Sequence, residues 1–501
     1  MIARLIPLLA LAASTAAAPI TFTEHIAPVV FQNCSSCHRP GEGAPFSLLS
    51  YRDVAKRAKL IARVTAEKVM PPWHADESDF AFAGDRRLTA AQIKLFQRWL
   101  NAGTPEGPTK KLPERPNFPN GWQLGQPDLI VKMEKPFRVP ADGRDIYRSF
   151  ALPLNLKEDR WIKAIEFRPG APSVVHHSLF FYDTTGYGRR MQRQGNGFAR
   201  MRRGQRGVGP LGGWAVGGQP RFLPKDLAYF LPKGADLILS THFHPSGKTE
   251  EEVSTVGIYF AKEPPRHTFT GVQLPPAFGA LSGVDIPPGE KNYTITDSFV
   301  LPVDVEAFGI SGHMHYLGKQ LHFTATLPNG QKRKLIGIKN WDFSWQEQYL
   351  FKQFVTLPKG TRLDVKLTWD NSATNPNNPT IPPQRVRWGP QSTDEMGSLT
   401  LLAKLASNAD RRTLESAQRT HAGTVIRRTA LERVTGRGDP EVIMRRFLRE
   451  NDKNGNGKIE RAEAPRWLLR SFANVDANKD GTLDRDELIE GRRRLLSGRR
   501  N

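Results

Sequence analysis

Residues 174–182 read Val-Val-His-His-Ser-Leu-Phe-Phe-Tyr, a β-branched and aromatic run that favours a strand and carries two adjacent histidines. Similar short runs follow one another from about residue 128 to 408, separated by Gly- and Pro-containing turns. They include Leu129 to Met133, Trp161 to Phe167, Leu237 to His242 and Gln320 to Leu327. Strands at this density predict β-sandwich architecture, and about 280 residues are enough for two sandwiches.

The segments on either side differ in composition. Short helical patterns precede a Pro-rich stretch, and a charged, helical segment follows the β region. One of the early patterns predicts a helix from Ala90 to Ala102 that packs across the segment of the two cysteines. The predicted fold class is multidomain: a small all-α domain, two all-β sandwiches and an α-helical C-terminal pair of motifs. The predicted boundaries are an N-terminal segment at 1–18, the all-α domain at 19–107, a Pro-rich linker at 108–127, the two sandwiches at 128–275 and 276–408, a basic linker or helix at 409–438, and the paired helical motifs at 439–495.

Six of the twelve histidines lie in three close pairs within the β region: His176 and His177, His242 and His244, His313 and His315. On a strand, residues i and i+2 share a face, so a His-x-His pair presents two imidazoles to one ion. Adjacent histidines reach one ion only at a strand end or a bulge. Imidazole clusters suit copper or zinc, so the pairs predict metal binding.

Four ordered motifs in this region resemble the copper type II, ascorbate-dependent monooxygenases, the family of peptidylglycine α-hydroxylating monooxygenase and dopamine β-monooxygenase. They are Val175-His176-His177, the run Thr241 to Pro245, the run Gly312 to Lys319, and Thr393-Asp394-Glu395-Met396. The resemblance covers roughly 280 residues. Unlike the animal members, this chain has no cysteine in the region, and Gly397 follows Met396.

The resemblance implies two copper sites across a solvent-filled cleft. His176, His177 and His242 are similar to the all-histidine copper that stores an electron. The catalytic residues His313, His315 and Met396 are similar to the copper that meets dioxygen beside the substrate, and a thioether favours Cu(I). His244 is left for a supporting or cleft role.

Cys34-Ser-Ser-Cys37-His38 is the attachment pattern of a c-type haem, with both thiols on one porphyrin and the histidine facing the iron. A redox-active dithiol is the alternative, but it expects a βαβ context that the surroundings lack. Met70, held between Val69 and two prolines, is the predicted sixth ligand, and His74 is its competitor. Axial ligation by histidine and methionine raises the reduction potential.

Two stretches near the end match the EF-hand calcium loop, which has oxygen ligands at positions 1, 3, 5, 7 and 12 and glycine at 6. The predicted ligands are Asp452, Asn454, Asn456, Lys458 through its carbonyl, and Glu463 in the first loop, and Asp476, Asn478, Asp480, Thr482 through its carbonyl, and Glu487 in the second. Ile459 and Leu483 at position 8 are expected to pair the loops. Two asparagines lower the charge of the first loop and predict weaker binding there.

Residues 1–18 have the pattern of a secretion signal, with an uncleaved N-terminal anchor as the alternative, and no later run is long and apolar enough to span a bilayer. An exported protein, periplasmic or extracellular, is therefore expected. The formal charge of +22 lies in separate basic runs without interleaved aromatic residues. This pattern argues against nucleic-acid binding and favours a solvated face, or peripheral contact with an anionic envelope surface.

These features together identify residues 1–18 as a signal peptide, 19–107 as a small all-α cytochrome c domain, 128–275 and 276–408 as the N-terminal and C-terminal copper sandwiches, and 439–495 as an α-helical EF-hand pair. They predict an exported copper-dependent monooxygenase that hydroxylates a C–H bond with dioxygen. The expected cofactors are haem c, two copper ions and two calcium ions. The expected partners are a small-molecule or peptide substrate and an electron donor, either an external one such as ascorbate or the haem itself. The first alternative is a haem and copper electron-transfer or copper-binding protein without hydroxylase activity. The second is a calcium-stabilised envelope scaffold.

Overall fold

A computed structural model describes residues 19–40, 42, 44–118, 121–194, 207–216, 218–435 and 440–497. The predicted signal peptide at 1–18 lies outside the described residues. The chain divides into two compact units: Met1–Trp73 with Asp85–Asn120, and His74–Gly84 with Gly121–Asn501. Each unit is described by itself.

The first unit contains short helices joined by long connections. A π-helical turn at Phe22–Ile26 continues into α1 (Ala27–Asn33), and α2 (Tyr51–Ala55), α3 (Ala58–Ala66), α4 (Ala90–Asn101) and a 3-10 turn at Thr109–Lys111 follow. Thr89 caps α4, and the side chains of Thr89 and Gln92 bond each other's backbone N–H reciprocally. The predicted helix across the cysteine segment is thus present, and it buries Phe96 and Trp99 in a core with Phe22 and Ile26.

Two four-stranded antiparallel sheets share one apolar core at the beginning of the second unit. The first has the order β1 (Leu129–Lys132), β10 (Thr255–Phe260), β4 (Arg160–Arg168), β7 (Tyr229–Leu231). The second has the order β3 (Ile146–Pro153), β8 (Asp236–Phe243), β5 (Val175–Asp183), β6 (Val208–Ala215). A small sheet pairs β2 (Phe137–Val139) with β9 (Glu250–Glu252), and α5 spans Tyr187–Arg193. All eight residues of β8 are buried, which fixes this strand as the centre of the layer that carries His242.

Two more four-stranded sheets follow. One has the order β11 (Thr268–Leu274), β20 (Gly397–Leu405), β14 (Val305–Met314), β17 (Gln348–Leu357). The other has the order β13 (Tyr293–Val300), β18 (Arg362–Trp369), β15 (Gly318–Thr326), β16 (Lys332–Ile338). A 3-10 segment spans Pro276–Ser282, and β12 (Asp285–Ile286) pairs with β19 (Val386–Arg387). Strand β11 lies before residue 275, yet it pairs with β20 along its whole length. It therefore belongs with the later sheets, not with the predicted N-terminal sandwich.

The C-terminal part is helical. It consists of α6 (Asn408–Thr435), α7 (Pro440–Asn451), α8 (Arg466–Leu469), α9 (Phe472–Val475) and α10 (Arg485–Ser497), with the short strands β21 (Ile459–Glu460) and β22 (Thr482–Leu483) paired between them. Helix α6 is fixed to β13 by His421 and Arg428, which bond opposite oxygens of the buried Asp297 carboxylate at 2.9 and 3.1 Å. None of the described helices is long and apolar enough to cross a membrane.

The predicted fold class is wrong. The chain is mostly β-sheet with helices scattered along it, and an N-terminal all-α cytochrome c domain is not seen. One physical reason lies in residues 74–84, which the prediction assigned to that domain. Glu77 forms an antiparallel bridge with Gly337, and Phe82 forms one with Phe351, on which its ring also stacks. The backbone of this segment finds its hydrogen-bond partners at strands, so the segment belongs to the β unit.

Candidate metal centre

The first predicted copper set comes together at the ends of two neighbouring strands. The imidazoles of His176, His177 and His242 each place a nitrogen so that all three lie within 4.8 Å of one another. The Nδ1 atoms of His176 and His177 are 3.1 Å apart. Pairing between β5 and β8 shifts register between Val175 and His177, which confirms the bulge that adjacent histidines require in order to face one point.

Both ring nitrogens of His242 are buried without a hydrogen-bond partner among the described residues. Nε2 lies 3.3 Å from Asp145 Oδ2, which is an ion-pair distance. A buried ring nitrogen without a partner is costly, and a metal ion would satisfy it. The Tyr147 ring stacks on the imidazole at a centroid distance of 4.4 Å and restricts its rotation.

The second predicted histidine pair lies at the end of β14, an inner strand of its sheet: His313 is within the strand and His315 directly follows its last residue. His313 Nδ1 is 2.5 Å from Gln346 Oε1, and His315 Nδ1 is 3.1 Å from the Asp394 carbonyl oxygen. Both rings therefore use Nδ1 for hydrogen bonding, which leaves Nε2 of each for a metal. Histidine ligands in metal sites commonly donate their other ring nitrogen in this manner.

Met396 is placed by the pairing of β14 with β20. His313 is opposite Ser398, and Met314 is opposite Gly397, which directly follows Met396. Met396 directly precedes β20, so extending the alternation of the strand by one residue would place it on the face of Ser398 and His313. The register is therefore compatible with the predicted set of His313, His315 and Met396.

Glu395 fixes the turn after His313 and was not singled out by the sequence. Its fully buried carboxylate accepts the N–H groups of His315 at 3.1 Å and Leu317 at 2.6 Å, and the indole N–H of Trp369 at 2.8 Å. Burial raises the pKa of Glu395 to about 8, although these three donors oppose the shift. The carboxylate holds the His315 backbone rather than pointing at the imidazoles.

The two histidine sets are in contact, and this corrects the expectation of a solvent-filled cleft. The ring centres of His177 and His313 are 6.4 Å apart. Phe343, only 9% exposed, stacks on His176 at 4.2 Å and meets the edge of His315 at 5.9 Å. Its carbonyl oxygen also lies 3.2 Å from His176 Nε2. Among the described residues, an aromatic side chain from the loop after β16 packs between the two sets, where a solvent-filled cleft was expected.

Burial keeps the imidazoles neutral. It lowers the pKa of His176 to about 3 and that of His313 to about 4, and it lowers the pKa of His177 and His315 well below the ordinary value. Neutral imidazoles are the form that ligates metals. His244 differs: its Nδ1 is 2.8 Å from Asp145 Oδ1, which raises its pKa, and its side chain is 52% exposed. The structure thus places His244 behind Asp145 rather than among the converging nitrogens.

The haem motif lies at the end of α1 in the first unit. The N–H groups of Cys37 and His38 both donate to the Cys34 carbonyl oxygen, at 3.2 and 2.9 Å, which makes a compact turn. His38 Nδ1 is 3.2 Å from the Phe46 carbonyl oxygen, so its Nε2 remains available to a haem iron. Burial raises the pKa of the Cys34 thiol to about 12.

The candidate sixth ligands follow α3. The Met70 N–H donates to the Val64 carbonyl oxygen at 3.1 Å, and the Met70 side chain is half-buried. His74 belongs to the second unit, where its N–H donates to the Tyr349 hydroxyl at 3.3 Å. The contacts of the described residues do not link the Met70 side chain to His38, which lies in the same unit.

Both calcium loops are closed by hydrogen bonds to their first and last acidic residues. In the second loop, carboxylate oxygens of Asp476, Asp480 and Glu487 lie within 4.8 Å of one another. In the first loop, Glu463 accepts the N–H groups of Lys453 and Asn454 at 2.9 and 3.2 Å. Ile459 is paired with Leu483, which confirms the predicted pairing at position 8. The remaining predicted ligands, Asp452, Asn456, Lys458, Asn478 and Thr482, lie in the same two turns.

Sequence reasoning missed the residues that support the imidazoles: Asp145, Phe343, Gln346 and Glu395. Only Glu395 carried a signal, because it stands inside the Thr-Asp-Glu-Met motif. The others lie on turns or strand ends with no local pattern, and only the tertiary fold brings them to the histidines.

Comparison with protein-family models gives one match, to the EF hand at residues 469–491. No curated protein matches the sequence at a significant level. Among solved structures, PNGase F, a glycosylasparaginase from Flavobacterium meningosepticum, has a TM-score of 0.26 at 11% identity, covering 56% of this chain and 97% of its own. The major capsid protein P2 from bacteriophage PM2 has a TM-score of 0.20 at 9% identity, covering 49% and 99%. The C-terminal part of the chain therefore carries an EF-hand, which suggests calcium binding there.

Proposed function

We propose that the protein is an exported copper-dependent monooxygenase that hydroxylates a substrate C–H bond with dioxygen, with electrons supplied through a c-type haem on the same chain. The observation that carries the proposal is the set of buried ring nitrogens that no hydrogen-bonding oxygen occupies. His313 and His315 each place Nδ1 beside an oxygen and leave Nε2 for a ligand. Both nitrogens of His242 are buried without a hydrogen-bond partner among the described residues, and one of them lies within 4.8 Å of a nitrogen of His176 and of His177. A buried nitrogen without a partner is costly, and a metal ion would satisfy it.

The donor chemistry supports two non-equivalent copper positions. His176, His177 and His242 offer imidazole alone, which suits both oxidation states of copper. His313 and His315 with Met396 add a thioether, which favours the reduced ion. Copper held at these positions would supply one-electron exchange with the haem and reaction with dioxygen.

At the second position, the protein's own residues orient the two imidazoles and exclude water. Gln346 and the Asp394 carbonyl oxygen fix the two imidazoles, and Glu395 holds the backbone that follows His313. Phe343 keeps the space beside His315 apolar. Exclusion of water protects a reactive site from side reactions.

Haem attachment is proposed at Cys34 and Cys37, with His38 as one axial ligand and Met70 as the other. The proposal rests on the motif and on the available His38 Nε2, and not on a cytochrome c fold. The role of the haem as internal electron donor is tested by stopped-flow spectroscopy of the fully reduced protein mixed with oxygen. Haem reoxidation should be faster with copper loaded than without, and equal rates would refute the electron-transfer role.

A copper-binding or electron-transfer protein without hydroxylase turnover is the second candidate. The packing of Phe343 between the two histidine sets favours it, because the described residues leave little room there for a substrate. Oxygen uptake coupled to a hydroxylated product supports the first candidate. Copper binding and haem reoxidation without any product support the second.

Calcium binding at both C-terminal loops, export to the periplasm or the cell exterior, and a small-molecule or peptide substrate complete the proposal. Abundant calcium outside the cell would act on a module of this kind mainly by stabilising its structure.

A further inference from the structure

One carboxylate touches both proposed copper positions without belonging to either set of ligands. Asp145 lies just before β3, and its side chain is only 6% exposed. Its Oδ2 is 3.3 Å from His242 Nε2, on the first position. The same oxygen accepts the backbone N–H of Ser392 at 2.9 Å, on the loop that leads to the second position.

The Ser392 loop carries two functional groups of the second position within four residues. The Asp394 carbonyl oxygen is 3.1 Å from His315 Nδ1, and Met396 supplies the proposed thioether. The start of this loop is also held from β3, since the Tyr147 hydroxyl donates to the Pro390 carbonyl oxygen. A shift of the loop would therefore move the donors of the second position.

The other carboxylate oxygen of Asp145, Oδ1, is bonded by a third residue, His244. Oδ1 is 2.8 Å from His244 Nδ1. Hydrogen bonds from His242, His244 and Ser392 hold the pKa of the Asp145 carboxyl well below its ordinary value, although burial by itself raises it. The carboxylate is thus fixed on both oxygens, which makes it a rigid link between the two sheet pairs.

We infer that Asp145 is a positioning residue that sets both copper positions at once, orienting the His242 imidazole on one side and anchoring the Met396 loop on the other. The inference rests on the proposed function and deepens it. It also gives His244 a role, namely to hold the outer oxygen of Asp145. Loss of this carboxylate should disturb the thioether of the second position, although Asp145 does not contact Met396.

The test uses the full chain loaded with Cu(I) and compares Asp145→Ala with Asp145→Asn and His244→Ala. Copper affinity is measured by competition with a chelator, and the copper–sulphur shell by X-ray absorption. Asp145→Ala should weaken the first position by about 10- to 100-fold, the usual effect of removing a partner of a metal-bound histidine. It should also reduce the sulphur shell. Asp145→Asn, whose amide oxygen can still accept from Ser392, should keep that shell, as should His244→Ala.

An undiminished sulphur shell in Asp145→Ala would overturn the inference. A wild-type protein that binds no copper would instead refute the proposed function. The positioning role of Asp145 is then tested by NMR on the metal-free protein. In that case Asp145→Ala should shift both the ¹⁵N resonances of the His242 ring and the Ser392 amide signal. A shift at only one of these two positions would overturn the link. Asp142→Ala, on the exposed turn nearby, is the matched control and should change none of these readouts.

Discussion

His176 and His177 are neighbours in sequence, yet their Nδ1 atoms lie 3.1 Å apart. Consecutive side chains on a regular strand point to opposite faces, so this closeness depends on the register shift between β5 and β8. The bulge turns an ordinary strand end into two converging nitrogens, and His242 on the neighbouring strand supplies the third.

His242→Ala should remove about one of the two copper ions from the loaded protein, because its buried Nδ1 is the third nitrogen of the first set. His244→Ala is the matched control from the same strand end and should retain both ions. Metal content per chain after gel filtration, measured by atomic emission, gives the answer. Equal loss in the two variants would contradict the assignment.

Met70→Ala should abolish the methionine-to-iron charge-transfer band of the oxidised haem, if Met70 is the sixth ligand as the sequence predicts. His74→Ala should leave the band intact, because its backbone is bonded within the β unit. Visible absorption spectroscopy decides the matter. A band that persists in Met70→Ala would rule out Met70 as the sixth ligand.

Glu487→Gln should weaken calcium binding by the chain more than Glu463→Gln does. The second loop brings three carboxylates within 4.8 Å of one another, whereas the first loop uses asparagine at two ligand positions. A larger number of charged ligands raises calcium affinity. Isothermal titration calorimetry on the two variants tests this, and equal residual affinities would argue against it.

The metal-free protein should lose stability as the pH falls below about 6.5. Burial lowers the folded-state pKa of His176 to about 3 and of His313 to about 4. In this pH range the two histidines are therefore protonated in the unfolded chain but stay neutral in the folded chain. Stability conferred by such groups is complete above the unfolded pKa and falls by at most about 1.4 kcal/mol per pH unit for each histidine. Urea unfolding at pH 7 and pH 5 measures the slope. His313→Gln should flatten it, and an unchanged slope in that variant would contradict the account.

Glu395→Ala should destabilise the fold by roughly 3 kcal/mol or more, because it leaves the N–H groups of His315 and Leu317 and the Trp369 indole buried without their acceptor. Trp369→Phe removes one donor and keeps the carboxylate, so its hydrogen-bond loss should be about 1 kcal/mol. Chemical denaturation at fixed calcium concentration compares the two variants. Equal effects would show that the carboxylate does not organise this turn.

The sequence predicted the features that depend on residues close together in the chain. The bulge at His176 and His177, the helix at Ala90–Asn101 and the pairing of Ile459 with Leu483 each follow from spacing within a few residues. The all-α cytochrome domain was a wrong prediction, because hydropathy does not reveal that residues 74–84 bridge to strands far along the chain. The same limit hid Asp145 and Phe343. Asp145 contacts His244, 99 positions away, and Phe343 contacts His176, 167 positions away, and no local pattern encodes such contacts.

The central claim is that the chain inserts an atom of dioxygen into a C–H bond. The direct measurement is mass spectrometry of a metabolite or peptide mixture incubated under ¹⁸O₂ with the reduced, haem- and copper-loaded protein. We predict a product that carries one ¹⁸O atom and that disappears in His313→Ala, whereas His244→Ala still forms it. Oxygen consumption that leaves every organic component unlabelled would contradict the claim.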